Sequence, residues 1–212
     1  MLGIVAPAGG GKSTLVQVLK LLLRSLLGVS AVEELSLDDF LSSQAERAEQ
    51  GIRTRWDLNA TNEDYAQSVV GALKRSHGAG PGGEVRVPCF SKGLDERTQQ
   101  QRVVRGAVDV VLFEGWRVGV AHANFFCFNA LVDCLLYMSV DLEAILRHKY
   151  ECVKRDIERC GFDMYVKFGG YDNVFERHYK RMYYEWIEPV RHSADLVVHK
   201  DGAHQITAVD DA

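Results

Sequence analysis

Residues 6–14 carry the residue types needed to bind a polyphosphate. Their sequence, APAGGGKST, matches the pattern G-x-x-x-x-G-K-[ST] at every fixed position except the first, where Ala6 stands for glycine. Glycines let backbone N–H groups curve around phosphates, and the helix that follows adds the positive end of its dipole. This segment, the P-loop, therefore predicts a nucleotide phosphate site built from Ala8, Gly9, Gly10, Gly11, Lys12, Ser13 and Thr14.

Two side chains of the P-loop bring chemistry of their own. The Lys12 ammonium would lie at the β and γ phosphates, and the Ser13 hydroxyl can ligate Mg²⁺. The structural alternative is a glycine-rich turn with an accidental Lys-Ser pair. Because the segment lies between a predicted strand and an amphipathic helix, the context that phosphate binding requires, we favour the binding site. If position 6 required a positive φ, the Cβ of Ala6 would cost about 1–2 kcal/mol.

Acidic residues follow two predicted strands. Asp38 and Asp39 come after a strand that ends at Leu37, and Glu114 follows the apolar run 110–113. Ligands of open α/β sheets bind at the carboxyl ends of the strands, so these acids would lie beside the P-loop. One carboxylate can hold a metal through water, and another can accept a proton from an attacking hydroxyl. The alternatives are a helix cap or solvated turn for the Asp pair and a turn for Glu114.

The elements that must position these residues alternate along the chain. Short apolar runs predict strands at 2–5, 31–37, 108–113, 132–139 and 196–199, with helical spacing between most of them. This order implies an α/β fold of the P-loop NTPase type. We expect a three-layer sandwich with a mostly parallel five-stranded sheet, helices on both faces and a helical lid. The length of 212 residues indicates one domain, 1–212.

The predicted lid covers about residues 147–172. Asp141 can cap its helix, which we expect to run to about Cys160 and to stop at Gly161. One face of this helix carries Arg147, Glu151, Arg155 and Arg159. A solvated, salt-bridged helix would explain this spacing. We favour a closing arm that brings an arginine, Arg155, onto the transferring phosphoryl group.

The composition argues against several other classes of protein. Lys and Arg number 25 against 29 Asp and Glu, and the formal net charge of −4 disfavours an obligate nucleic-acid partner. The leucine-rich stretch 15–32 is interrupted by Gln17, Lys20 and Arg24, so we expect no membrane span, and residues 1–5 carry no basic leader. The 5 cysteines, without Cys-x-x-Cys spacing, indicate reduced thiols in the cytoplasm. The sequence leaves open whether the protein forms a homo-oligomer.

Taken in order, these segments resemble the phosphoribulokinase/uridine kinase family of P-loop kinases over most of the chain. Residues 35–40, LSLDDF, resemble the strand-end segment in which the first acid, here Asp38, is the proposed base. Residues 113–115, FEG, resemble the family's Walker-B-like Glu-Gly. Residues 188–198 are similar to its closing proline and Ala-Asp-strand.

Three further segments extend the resemblance to the acceptor site and the lid. Residues 55–57, RWD, resemble the Phe-Asp segment whose acid contacts substrate hydroxyls in the nucleoside kinases, and that acid is Asp57 here. Residues 87–90, VPCF, followed by Arg97, resemble the Pro-x-Tyr segment and its later arginine. Residues 154–157, KRDI, resemble the start of the lid.

The resemblance implies a kinase that transfers the γ-phosphoryl group of ATP, with Mg²⁺, to an alcohol group of a small metabolite. It assigns catalysis to Lys12, Asp38 and Arg155, and metal binding to Ser13 and Glu114. The residues expected at the acceptor are Asp38, Asp57, Phe90, Arg97 and Trp116.

The chain also departs from uridine kinases. Ser91 stands where they carry Asp, and Lys92 and Asp95 stand where they carry the Phe and His that hold the base. The runs FSK at 90–92 and EGW at 114–116 are closer to glycerate-kinase-like members. Nucleoside-like, sugar-like, glycerate-like and pantothenate-like acceptors therefore stay open, and so does the choice between ATP and GTP.

Two other kinds of P-loop protein are alternatives to a metabolite kinase. A nucleotide-binding switch would carry Asn-Lys-x-Asp and Asp-x-x-Gly segments, and the sequence has neither. A catalytically degenerate kinase would bind nucleotide as a scaffold. It stays open because of Ala6 in the P-loop, Ser91 and the altered lid. In the lid, Glu-Cys at 151–152 replaces an Arg pair, and Cys160 and Phe162 replace the arginines that flank Gly161 in relatives.

Overall fold

The structure is a computed structural model that describes residues 1–52, 54–76, 83–160, 165–166, 169–203 and 205–211, with the backbone alone at 156, 159 and 160. The expected helix stop at Gly161 and the substitution at Phe162 lie outside the described residues.

The described residues form eight strands, of which six make up a central sheet and two form a separate hairpin. These are β1 (Leu2–Val5), β2 (Val32–Ser36), β3 (Glu84–Ser91), β4 (Glu96–Arg105), β5 (Val110–Glu114), β6 (Cys134–Ser139), β7 (Leu196–Lys200) and β8 (Ile206–Asp211).

The central sheet has the strand order β2-β5-β1-β6-β7-β8. Its first five strands pair in parallel, as the alternation of elements predicted, and place their carboxyl ends on one edge. The sixth strand, β8, runs antiparallel to β7 and was not predicted. All its residues are exposed, so the strand carries no burial period that a sequence pattern could show.

A separate hairpin of β3 and β4 stands beside the sheet. Its second strand was not predicted, because ERTQQQR lacks apolar alternation. The turn contains Asp95 at φ 55°, the only described non-glycine residue with a positive φ. Arg102 ties the hairpin to β2, since its guanidinium donates to Glu33 Oε2 at 2.6 Å and also to the Glu34 carbonyl. The hairpin therefore has a fixed position beside β2.

Helices cover both faces of the sheet. They are α1 (Lys12–Leu27), α2 (Gln44–Glu49), α3 (Glu63–Ser76), α4 (Leu142–Cys160) and a C-terminal helix that is π-helical over Asp172–Tyr179 and Tyr183–Ile187 with one α turn, Lys180–Met182, between. As predicted, Asp141 caps α4, because its Oδ1 accepts the Ala144 N–H at 3.0 Å. Within the described chain, no helix is both long and apolar enough to cross a membrane.

The core is divided between the two faces because side chains alternate along each strand. Ile4 of β1 packs with Leu15 and Val16 of α1 on one face. Its neighbour Val5 packs with Phe113 and with residues of α3, α4 and the C-terminal helix on the other. Sheet and helices thus form the three layers expected, and the P-loop emerges between them at the carboxyl end of β1.

Candidate active site

The P-loop has the backbone shape of a phosphate cradle. Gly9 and Gly11 have φ values of 90° and 88°, a left-handed conformation that favours glycine. The Gly10 N–H donates to the Pro7 carbonyl at 3.0 Å and closes the turn. Ala6 is fully buried and has no positive φ, so alanine fits the first position of the pattern without backbone strain.

The Lys12 ammonium is held inside this turn. Its Nζ donates to the carbonyls of Ala6 at 3.0 Å and Pro7 at 3.3 Å, and lies 4.0 Å from Glu114 Oε2. Burial lowers the pKa of Lys12, while the carboxylates of Glu114 and Asp38 oppose that shift. The positive charge of Lys12 therefore lies next to the backbone amides of the P-loop. A bound phosphate oxygen would replace one of the carbonyl oxygens as the hydrogen-bond acceptor of Lys12.

The acids predicted at the strand ends do meet beside the P-loop. Glu114 ends β5, and its Oε1 accepts a hydrogen bond from the Ser36 hydroxyl at 3.0 Å. Asp38 lies in the turn after β2, and its Oδ2 is 2.7 Å from Lys92 Nζ. Partial burial lowers the pKa of Lys92, but Asp38 and Glu114 raise it by more. The result is a chain of alternating charges across the end of the sheet.

Asp39 has a different place from its neighbour. Its Oδ1 accepts the backbone N–H of Phe90 at 3.2 Å and so helps to dock β3. Burial raises the pKa of the Asp39 carboxyl. Of the two consecutive acids, Asp38 therefore lines the cavity of the P-loop and Asp39 supports the hairpin.

One cavity of about 370 Å³ collects most of the predicted site. Its walls include the P-loop side chains Lys12 and Ser13, the acids Asp38 and Glu114, and the buried indole of Trp116. Further lining residues that the sequence did not single out for the site are Arg55, Trp56, Lys92, Lys149, Tyr165, Phe175 and Tyr179. Several of these are cations, so the cavity suits ligands with negative charge.

Three predicted acceptor residues lie outside the lining of this cavity. Asp57 Oδ2 accepts the Thr54 N–H at 2.9 Å. Arg97 donates to Glu46 Oε2 at 3.0 Å and to the Leu41 carbonyl. Phe90 borders an adjoining cavity of about 270 Å³. Their roles in binding an acceptor stay predictions.

The predicted lid arginine, Arg155, is exposed and lies outside the lining of the cavity. It donates to the Glu151 carbonyl at 3.3 Å and to Cys152 Sγ at 3.2 Å. Its role on the phosphoryl group stays a prediction as well. Among the α4 residues whose side chains are described, Lys149 lines the cavity. A sequence signal existed for it, because Lys149 interrupts the apolar stripe of Ile145 and Val153 at i, i+4 spacing.

The residues present fit a magnesium ion. Ser13 and Glu114 both face the cavity and offer the oxygen ligands that Mg²⁺ prefers, together with nucleotide phosphates and water. Among the described residues, no group of three or more His, Cys, Asp and Glu side chains forms a separate metal cluster.

The parallel sheet with a P-loop at the end of its central strand, and acids at the ends of two neighbours, defines a P-loop kinase fold. A model of the phosphoribulokinase/uridine kinase family matches residues 1–207, so the chain belongs to that family. No curated protein sequence matches the chain significantly.

Solved structures share this fold at low sequence identity. D-glycerate 3-kinase from Cryptococcus neoformans var. grubii superimposes with a TM-score of 0.76 at 16% identity, covering 100% of this chain and 89% of that one. Phosphoribulokinase from Rhodobacter spheroides gives 0.67 at 15% identity, over 95% and 70% of the two chains. A possible uridine kinase from Bacillus stearothermophilus gives 0.56 at 20%, over 92% and 86%.

Proposed function

We propose that this protein transfers the γ-phosphoryl group of ATP to a hydroxyl group of a small metabolite. The observation that carries the proposal is the convergence of Lys12, Asp38 and Glu114 on one cavity that also contains the glycine-rich loop. Phosphoryl transfer needs little covalent chemistry from a protein and depends on positioning and charge. These residues supply both.

The chain's own groups divide the work as follows. The P-loop amides and Lys12 bind the phosphates, and Ser13 and Glu114 would hold a magnesium ion, which would neutralise charge on the phosphate oxygens. Asp38 accepts the proton of the acceptor hydroxyl. The hydroxyl oxygen forms the new bond to the γ-phosphorus as the bond to the bridging oxygen breaks, and ADP leaves.

The cations near Asp38 favour an acceptor with a negative charge. Lys92 Nζ lies at the proposed base, and Arg55 lines the same cavity beside Trp56. A guanidinium or an ammonium recognises a carboxylate through charge-assisted hydrogen bonds. The similarity to D-glycerate 3-kinase points the same way. We therefore place small hydroxy acids, with glycerate first, ahead of nucleosides, sugars and pantothenate.

The experiment is a coupled assay of ADP release over a panel of hydroxy acids, sugars, nucleosides and pantothenate, with ATP and GTP compared. We expect turnover that depends on an acceptor and on Mg²⁺, and its loss in Lys12→Met. Nucleotide binding without turnover on any acceptor would favour a scaffold that binds nucleotide. The four cysteines whose side chains the structure describes are free thiols, which fits our proposal that the reaction takes place in the cytoplasm.

A further inference from the structure

Lys149 is a half-buried cation on the inner face of α4. It lies one helical turn from Ile145 and one from Val153, both buried. No carboxylate of the described chain lies within ion-pair distance of its ammonium. Burial and the nearby charge of Lys12 lower the pKa of Lys149 to about 8. A partly buried charge without an ionic partner is unfavourable, so an anionic ligand would stabilise this lysine.

Two aromatic rings hold the Lys149 ammonium in the absence of such a partner. Its Nζ lies 5.4 Å from the centroid of Phe175 and 5.8 Å from that of Tyr179, within the range of cation–π contacts. The Tyr179 hydroxyl donates to the Ala8 carbonyl, so this aromatic cage is attached to the P-loop. Both rings lie on the π-helix Asp172–Tyr179, and π-helical irregularities are frequent at functional sites.

The Lys149 side chain lies against Gly9 of the P-loop. A Cβ built on Gly9 would lie 3.1 Å from Lys149 Cε and 3.4 Å from its Nζ. Lys149 also borders both the cavity of Asp38 and a second cavity of about 550 Å³ that contains Gly9, Gly11 and Thr14. The ammonium is therefore next to the amides that would hold a nucleotide's phosphates.

We propose that Lys149 is the catalytic cation contributed by the lid helix, and that it leaves the cage of Phe175 and Tyr179 to contact the nucleotide phosphates. This inference rests on the proposed kinase function. A charge-assisted hydrogen bond to phosphate is stronger than a cation–π contact, so nucleotide binding drives the exchange of partners. The flexible lysine stem lets one point charge follow the phosphoryl group as it moves.

The kinetic test compares Lys149→Met with Lys149→Arg and with Lys154→Met, an exposed position on the same helix. Methionine keeps the length and apolar stem while removing the charge. Loss of one preorganised donor to the transition state costs about 10²–10³-fold in kcat, and we expect that loss in Lys149→Met. We expect Lys149→Arg to recover most of it and Lys154→Met to match the wild type. A kcat for Lys149→Met within about threefold of the wild type would overturn the proposal.

A second test needs no turnover. Lysines labelled biosynthetically with ¹³C at Cε are observed by NMR, and the Lys149 signal is the one missing from Lys149→Arg. We expect the rings of Phe175 and Tyr179 to shift it away from the exposed lysines, and MgADP to return it towards them. A Lys149 signal that stays in place with MgADP bound would refute the exchange of partners. Failure of the wild type to bind MgADP would instead refute the proposed function.

Discussion

Lys92 Nζ lies 2.7 Å from Oδ2 of Asp38, so the residue proposed as the catalytic base is ion-paired to the end of the β3–β4 hairpin. Asp38 follows β2 and Lys92 follows β3, and the intervening chain includes α2 and α3. The hairpin thus places a cation at the point where an acceptor hydroxyl must approach. An anionic acceptor would exchange contacts with this pair, which links acceptor charge to the orientation of the base.

Asp38→Asn should separate binding from turnover. The amide cannot accept the proton of a hydroxyl, and general-base catalysis contributes about 10²–10⁴-fold in rate. We expect kcat to fall by that factor while the Kd for ATP, measured by calorimetry, changes little. Asp39→Asn is the matched control, because its amide oxygen can still accept the Phe90 N–H. Equal losses in the two variants would contradict the role given to Asp38.

Lys92→Met should reveal the charge of the acceptor. A hydrogen bond to a charged group contributes about 1.5–3 kcal/mol, so KM for an anionic acceptor should rise at least about tenfold. KM for ATP should stay nearly constant. Arg86→Met changes an exposed cation of β3, the strand that Lys92 follows. Arg86 pairs with Glu84, and its loss should have no effect on either KM. If KM for a neutral acceptor rises as much as that for an anionic one, the charge argument is wrong.

Gly11→Ala should abolish tight nucleotide binding. Gly11 has φ 88°, where a Cβ costs about 1–2 kcal/mol, and relaxation of that strain would turn the loop amides away from phosphate. Gly28→Ala imposes the same kind of strain at the end of α1, where φ is 66° and no atom lies within 4 Å of the new Cβ. Calorimetry should show weak ATP binding in the first variant and unchanged binding in the second, although both lose some stability.

The stability of the protein should depend on pH through Lys149. Its folded pKa of about 8 lies below the ordinary 10.5, so the unfolded state binds more protons between these values and stability rises with pH across that window. Below pH 8 both states carry the proton, and the cost of the buried charge is at its largest. Lys149→Met should therefore exceed the wild type in unfolding free energy at pH 7 by up to about 3 kcal/mol.

This difference is measured by urea denaturation at several pH values. It should shrink as pH rises from 8 towards 10.5, with Lys154→Met as the control for changes common to the helix. A difference between wild type and Lys149→Met that is independent of pH would contradict the assignment.

Much of the fold could be predicted from the sequence because its signals are local. Each buried parallel strand appears as a short apolar run, and the glycine and lysine spacing of the P-loop is dictated by the backbone shape that phosphate requires. The expectation that Asp38 and Glu114 lie together followed from the rule that carboxyl ends of parallel strands share an edge. The expected binding roles of Asp57, Arg97 and Arg155 remain predictions.

The sequence by itself determined the parallel sheet, the P-loop and the family. The tertiary structure decided which charged side chains share the cavity. Lys92 reaches Asp38 only through the docked hairpin, and Lys149 reaches Gly9 only through the packing of α4 on the C-terminal helix. Lys149 interrupts an apolar stripe, but the partner in neither contact can be predicted from the local sequence. The two residues of each contact lie far apart along the chain and are brought together by packing elsewhere in the fold.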